Sequence, residues 1–151
     1  MTMRTDSVAM AGDGPSPAAR WLGLAGLLPF AAGAIALWAV PASRHAMVAL
    51  ALAAYGASIV AFLGGLHWGL AARGGQRSAQ YAWGVVPSLL AWVALLLPAR
   101  IGLAVLAATL VACYAVDRRV LPGQGLASWM PLRARLTAVA AASCLAGVFA
   151  L

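Results

Sequence analysis

Very few side chains in this sequence are equipped for chemistry. It holds two histidines, two cysteines and three acidic residues, all aspartate (Asp6, Asp13 and Asp117), while every one of its ten basic residues is arginine. His67, in Gly64-Gly65-Leu66-His67-Trp68-Gly69, is the one ionisable side chain set well inside an uninterrupted apolar run, and it precedes Arg73 by six residues, about 9 Å along a helix. An ionisable group at that depth belongs to a relay, a ligand site or a structural hydrogen bond, and it turns toward protein rather than lipid. Asp117 closes a later apolar run on the same side and is the natural acidic partner, since a His67–Asp117 pair could move protons or hold a polar ligand. The plainer arrangements are a His67 bonded to a carbonyl or headgroup and a salt bridge between Asp117 and adjacent Arg118. Ser88 could also satisfy the imidazole, with Trp68 and Trp92 shielding the site.

No serine–histidine–acid set, metal-ligand cluster or phosphate-binding glycine loop occurs in the sequence. No catalytic residue, metal or other cofactor is expected, and the chain reads as non-enzymatic. Cys113 and Cys144 lie inside apolar runs without the short paired spacings of metal or redox sites, so they read as buried, inert thiols.

The elements that hold these residues follow from composition. Of 151 residues, 64% are hydrophobic and 9% charged, far below the roughly 25% charged of a soluble domain. The net charge of +7 lies between apolar runs rather than along one face, which excludes a nucleic-acid partner and favours anionic lipid headgroups, above all at Arg118, Arg119, Arg133 and Arg135. Five runs are long enough to cross about 30 Å of hydrocarbon, at about 21–40, 46–72, 81–97, 101–116 and 136–151. They are uniformly apolar, without the alternation of barrel strands, and backbone satisfaction in lipid then leaves helices. The fold expected is an all-α, polytopic transmembrane bundle of five helices over 21–151, behind a flexible polar tail over 1–20. A cleaved signal ending near Val40-Pro41-Ala42 is the rival for the first run, whose length exceeds the usual 7–15 apolar residues.

Five crossings place Arg4, Arg20, Arg73, Arg77, Arg118, Arg119, Arg133 and Arg135 on one side and only Arg44 and Arg100 on the other. The positive-inside rule makes the first side cytoplasmic, so the N-terminus is inside and the C-terminus outside. The preference for Arg over Lys, with abundant Ala and Gly, points to a GC-rich bacterial genome and hence to the inner membrane, with a periplasmic C-terminus. Within the second run, Ala49, Ala53, Ala57, Ala61, Gly65 and Gly69 recur every four residues, a ridge that would let a neighbouring backbone approach closely, so Ala61→Leu and Gly65→Leu are expected to damage the fold. His67 falls on the opposite face with Gly56, Val60 and Gly64. Pro29 and Pro87 interrupt the first and third helices, where they either line a site or serve packing, and Trp21, Trp83 and Trp129 suit the interfacial aromatic belt.

Four stretches, Leu22-Gly23-Leu24-Ala25-Gly26-Leu27-Leu28-Pro29-Phe30, Phe62-Leu63-Gly64-Gly65-Leu66-His67-Trp68-Gly69, Val86-Pro87-Ser88-Leu89-Leu90-Ala91-Trp92 and Leu132-Arg133-Ala134-Arg135-Leu136-Thr137, resemble a membrane-protein family of unknown function that includes animal transmembrane protein sixty-nine. The resemblance runs from about Leu22 to the end of the chain. It implies a multi-pass membrane protein without an established activity, and its motifs fall on His67, Trp68, Pro87, Ser88 and Trp92. Two functions fit the sequence. One is a non-enzymatic component that scaffolds or assists another membrane protein. The alternative is a transporter or binder of a small lipophilic molecule or of protons, with a cytoplasm-facing site around His67.

Overall fold

The computed structural model describes residues 14–74 and 78–151. The described chain is all helix and loop, and five of its helical segments are long and apolar enough to cross a membrane. The protein is an integral membrane protein with several spans. Residues 75–77, which include Arg77 and join the second run to the third, and the polar tail through residue 13, which includes Arg4, lie outside the described residues.

The first span is built from α1 (Pro17–Ala25) and α2 (Leu28–Ala39). It starts earlier than the apolar run suggests because Ser16 caps α1, its Oγ accepting from the Ala19 N–H at 3.2 Å, and Pro17 occupies the first turn, where no backbone N–H is needed. Residues 17–20 are therefore helix rather than tail. Pro29 does not kink a continuous helix but sits in the first turn of α2, so the span breaks at Gly26-Leu27. The Tyr55 hydroxyl donates to the Gly26 carbonyl at 2.8 Å across that break.

The central element is α3 (His45–Gly74), which packs against α2, α4, α5 and α6. Its 30 residues extend about 45 Å, more than a hydrocarbon core requires, so it crosses at a tilt. Its interior face runs through Leu52, Gly56, Val60, Leu63, Gly64 and His67 at spacings of three and four. The expected small-residue ridge holds only over Ala49, Ala53 and Ala57, which are buried; Ala61 is half-buried, and Gly65 and Gly69 are exposed with open space where a Cβ would stand. The reason is geometric: each four-residue step turns about 40° around the helix, so Gly69 lies about 200° from Ala49. The close approach that the ridge was expected to provide occurs instead at Gly64 and Gly84 of α4 (Ser78–Leu96). A Cβ on Gly64 would strike the Gly84 carbonyl, and one on Gly84 would strike the Trp68 indole. Pro87 is buried beside this crossing.

A two-residue link leads into α5 (Ala99–Val120), which crosses α4 where Gly102 lies against the Ala94 carbonyl. α5 runs four residues beyond the expected end at Val116, because Leu106, Leu110, Cys113 and Asp117 form one buried face that continues the helix. Gly125, at φ +75°, then turns the chain in the left-handed region that glycine tolerates. The last helix, α6 (Met130–Ala150), begins six residues before the expected Leu136, with Pro131 in its first turn, and is a full 21-residue span rather than a short one. At its far end the Arg100 Nε donates to the Val148 carbonyl at 3.0 Å.

Leu37, Leu52, Leu103, Leu106 and Phe30 fill the centre of the bundle, with Cys113 and Cys144 buried as free thiols. Trp38, Leu50, Phe62, Leu89, Trp92 and Phe149 point outward, an apolar exterior that suits acyl chains as a solvent.

Candidate functional site

Asp117 reaches the interior from the last turn of α5, and His67 from α3, and the two meet: the His67 Nε2 lies 2.9 Å from Asp117 Oδ1. Both residues are 1% exposed. The carboxylate oxygen can only accept, so Nε2 carries the hydrogen and donates. The second ring nitrogen, Nδ1, is buried with no hydrogen-bond partner among the described residues.

The other carboxylate oxygen is taken by Arg133 of α6, whose Nε donates to Oδ2 at 2.9 Å and whose Nη2 donates to the same atom. Asp117 thus joins three helices through two oxygens. Arg133 is not a free surface cation, as the arginine count assumed, and Arg118 is not the partner of Asp117 but lies over the Tyr114 ring at 5.9 Å. A buried carboxylate costs a great deal unless its charge is matched and its lone pairs are engaged, and here both conditions are met.

The rest of the expected site stays apart. Trp68 is half-exposed and donates its Nε1 to the Tyr81 carbonyl at 3.0 Å, its ring edge-on to that of Tyr81. Trp92 is 61% exposed and faces outward, and Ser88 is half-buried on α4 and does not figure among the hydrogen bonds of His67 or Asp117 within the described residues. Pro87 serves packing at the Gly64–Gly84 crossing. The expected pair is therefore present and its expected aromatic shield is not.

Beside the triad lies a cavity of about 620 Å³ between α1, α2, α3 and α6. Leu22, Phe30, Ile59, Leu63, Leu66 and Leu136 are among the apolar side chains of its wall. Arg73, Arg133 and Thr137 supply its charged and hydroxyl groups, and among the described residues no acidic side chain lines it. Arg133 is the one member of the triad that also forms the wall. Thr137, one turn beyond Arg133 on α6, is buried, and its Oγ1 has no hydrogen-bond partner among the described residues. Sequence reasoning gave Arg133 to lipid headgroups rather than to this site, and it did not single out Thr137. The signal that could have found them is the interior spacing of α6, Arg133, Thr137, Ala140 and Cys144, which places an arginine in line with a buried face.

A family model described as protein of unknown function (DUF3429) matches residues 15–149, and the chain belongs to that family. It is 46% identical over 89 residues to Transmembrane protein 69 of Xenopus tropicalis, an alignment that covers 56% of this chain and 34% of that protein. The chain spans about a third of the length of this curated relative. No solved structure matches the chain.

Proposed function

We propose that this member of the family is a non-enzymatic membrane protein that binds one small lipophilic molecule in the cavity between α1, α2, α3 and α6. The observation that carries the reading is the cavity itself: its volume of about 620 Å³ lies within the range of ligand pockets, roughly 300–1,000 Å³, and its wall is mostly apolar, with Arg73, Arg133 and Thr137 as its polar lining. The His67–Asp117–Arg133 cluster would hold that polar side rigid. Native mass spectrometry of the protein extracted in mild detergent tests it. A copurifying molecule near one-to-one stoichiometry, lost in Leu66→Trp, is the expected result. Extraction of an empty protein in several detergents, unchanged by Leu66→Trp, would overturn it.

Under the same proposal the protein sits in the inner membrane of a bacterium with a cytoplasmic N-terminus and a periplasmic C-terminus; the arginine distribution supports the orientation, and the Arg-, Ala- and Gly-rich composition supports the bacterial source. Arg118, Arg119 and Arg135 are exposed and suited to anionic headgroups at that surface. A second reading, that the chain assists or scaffolds another membrane protein, is favoured by the outward-facing Gly65 and Gly69, which leave open space on α3 where another helix could lie. A stoichiometric protein partner that is lost in Gly65→Leu, with the cavity empty, would favour this reading over the first.

A further inference from the structure

We infer that the molecule bound in this cavity is a single-chain amphiphile with an anionic oxygen headgroup, a carboxylate or a phosphate, held by Arg133, Arg73 and Thr137. The inference rests on the binding reading above and names its ligand class.

Three observations converge on it. The cavity wall carries two guanidinium groups and, among the described residues, no acidic side chain; with Asp117 matching the charge of Arg133 from behind, Arg73 leaves the lining net positive, which favours an anion. Arg133 directs Nε and Nη2 to Asp117, and those two groups account for its hydrogen bonds among the described residues. A guanidinium has five N–H donors in a fixed fork, so the remaining donors are available to a second oxyanion while Asp117 anchors the group from behind. Thr137 supplies the independent evidence. Thr137 is 5% exposed and belongs to the cavity wall, and its buried Oγ1 has no hydrogen-bond partner among the described residues, although a threonine inside a helix ordinarily bonds back to the carbonyl four residues earlier. A donor left in that condition beside a guanidinium is a place for an acceptor oxygen.

The tail follows from the shape. Along α3 the wall extends from Arg73 back to Ile59, fourteen residues or about 21 Å, with the charged group at one end. That length exceeds the roughly 15 Å of one leaflet's hydrocarbon, and it suits one extended chain lying along the membrane normal. Leu70, Leu66, Leu63 and Phe62 offer that chain no polar partner.

The test uses the whole 151-residue chain in nanodiscs of a zwitterionic phospholipid and measures binding of three probes with the same tail: oleate, oleoyl lysophosphatidate and oleyl alcohol. At least one anionic probe is expected to bind about ten- to a hundredfold tighter than the alcohol, the ratio that one or two charge-assisted hydrogen bonds supply. Whichever anion binds better identifies the headgroup as carboxylate or phosphate. Arg73→Gln and Thr137→Val should each reduce the ratio without abolishing alcohol binding. Arg133→Gln alone would strand the Asp117 charge and could unfold the chain, so the decisive variant is Asp117→Asn with Arg133→Gln, which removes both charges together. That variant should bind the alcohol as the wild type does and lose the anion preference. Equal binding of all three probes by the wild type, or an undiminished preference in the folded double variant, would overturn the anionic headgroup and leave the lipophilic cavity standing. Binding of none of the probes would overturn both.

Discussion

A carboxylate buried in a membrane helix must engage both of its oxygens, and Asp117 gives one to His67 and the other to Arg133. Removing its charge therefore does more than lose a contact, because the Arg133 guanidinium is left partly buried without a counter-ion. Asp117→Asn is expected to lower stability by about 3–5 kcal/mol, read as a fall in the thermal unfolding midpoint in detergent, and adding Arg133→Gln should recover much of the loss. A single variant as stable as wild type would mean that the ion pair contributes little. At His67 the structural hydrogen bond can be separated from the other roles read from the sequence. His67→Gln keeps an N–H for Oδ1 and should unfold close to wild type, whereas His67→Leu should cost about 2 kcal/mol, the scale of one hydrogen bond to a charged group. Equal midpoints for Gln and Leu would exclude a structural hydrogen bond. His67 and Asp117 were legible in the sequence because each is a rare polar residue at the edge or inside of an apolar run. Arg133 was not, because a charge count treats every arginine outside an apolar run as a loop residue, and only the start of α6 at Met130 turns this one inward.

Among elements, the decisive contact is the crossing of α3 and α4, where two glycines let backbone meet backbone. A larger side chain at either position has no room: at Gly64 the obstacle is a carbonyl, which cannot rotate away, and at Gly84 it is an indole ring held by its own bond to Tyr81. Gly64→Leu and Gly84→Leu are expected to destabilise the fold by at least the roughly 1–3 kcal/mol of ordinary overpacking, visible as lost yield and a lowered unfolding midpoint. Gly65→Leu, in contrast, should express and unfold like wild type. Sensitivity at Gly65 equal to that at Gly64 would place a further helix against the outer face of α3. The five spans themselves were legible because uninterrupted apolar length is a direct physical requirement of crossing a bilayer. Their ends were less so: Ser16 capping α1 and Pro131 opening α6 carry the helices past the apolar runs, and composition does not register a cap. The ridge was misplaced for a different reason, since a repeat of four in a helix of 3.6 residues per turn leaves its starting face within a few steps.

For the molecule as a whole, the arginine distribution predicts that a reporter active only in the cytoplasm works when inserted at Gly123 and one active only outside works at Ser43 or after Leu151. A cytoplasmic signal from the C-terminal fusion would contradict five crossings. The same count bears on the triad, whose members come from α3, α5 and α6, the second, fourth and fifth spans in chain order. A chain emerges from its N-terminus, so Asp117 enters the membrane when His67 is already present and Arg133 has yet to be made. Until α6 arrives, the carboxylate is a charge without a counter-charge, and the spans already inserted have no stable way to close around it. The triad therefore reports completion: a chain that ends before Met130 carries an exposed acidic defect at the rim of its bundle, and one that is finished hides it. A product stopped after Leu126 is expected to be cleared within minutes in pulse-chase labelling, and co-expressing residues 127–151 as a separate segment should protect it, unless that segment carries Arg133→Gln.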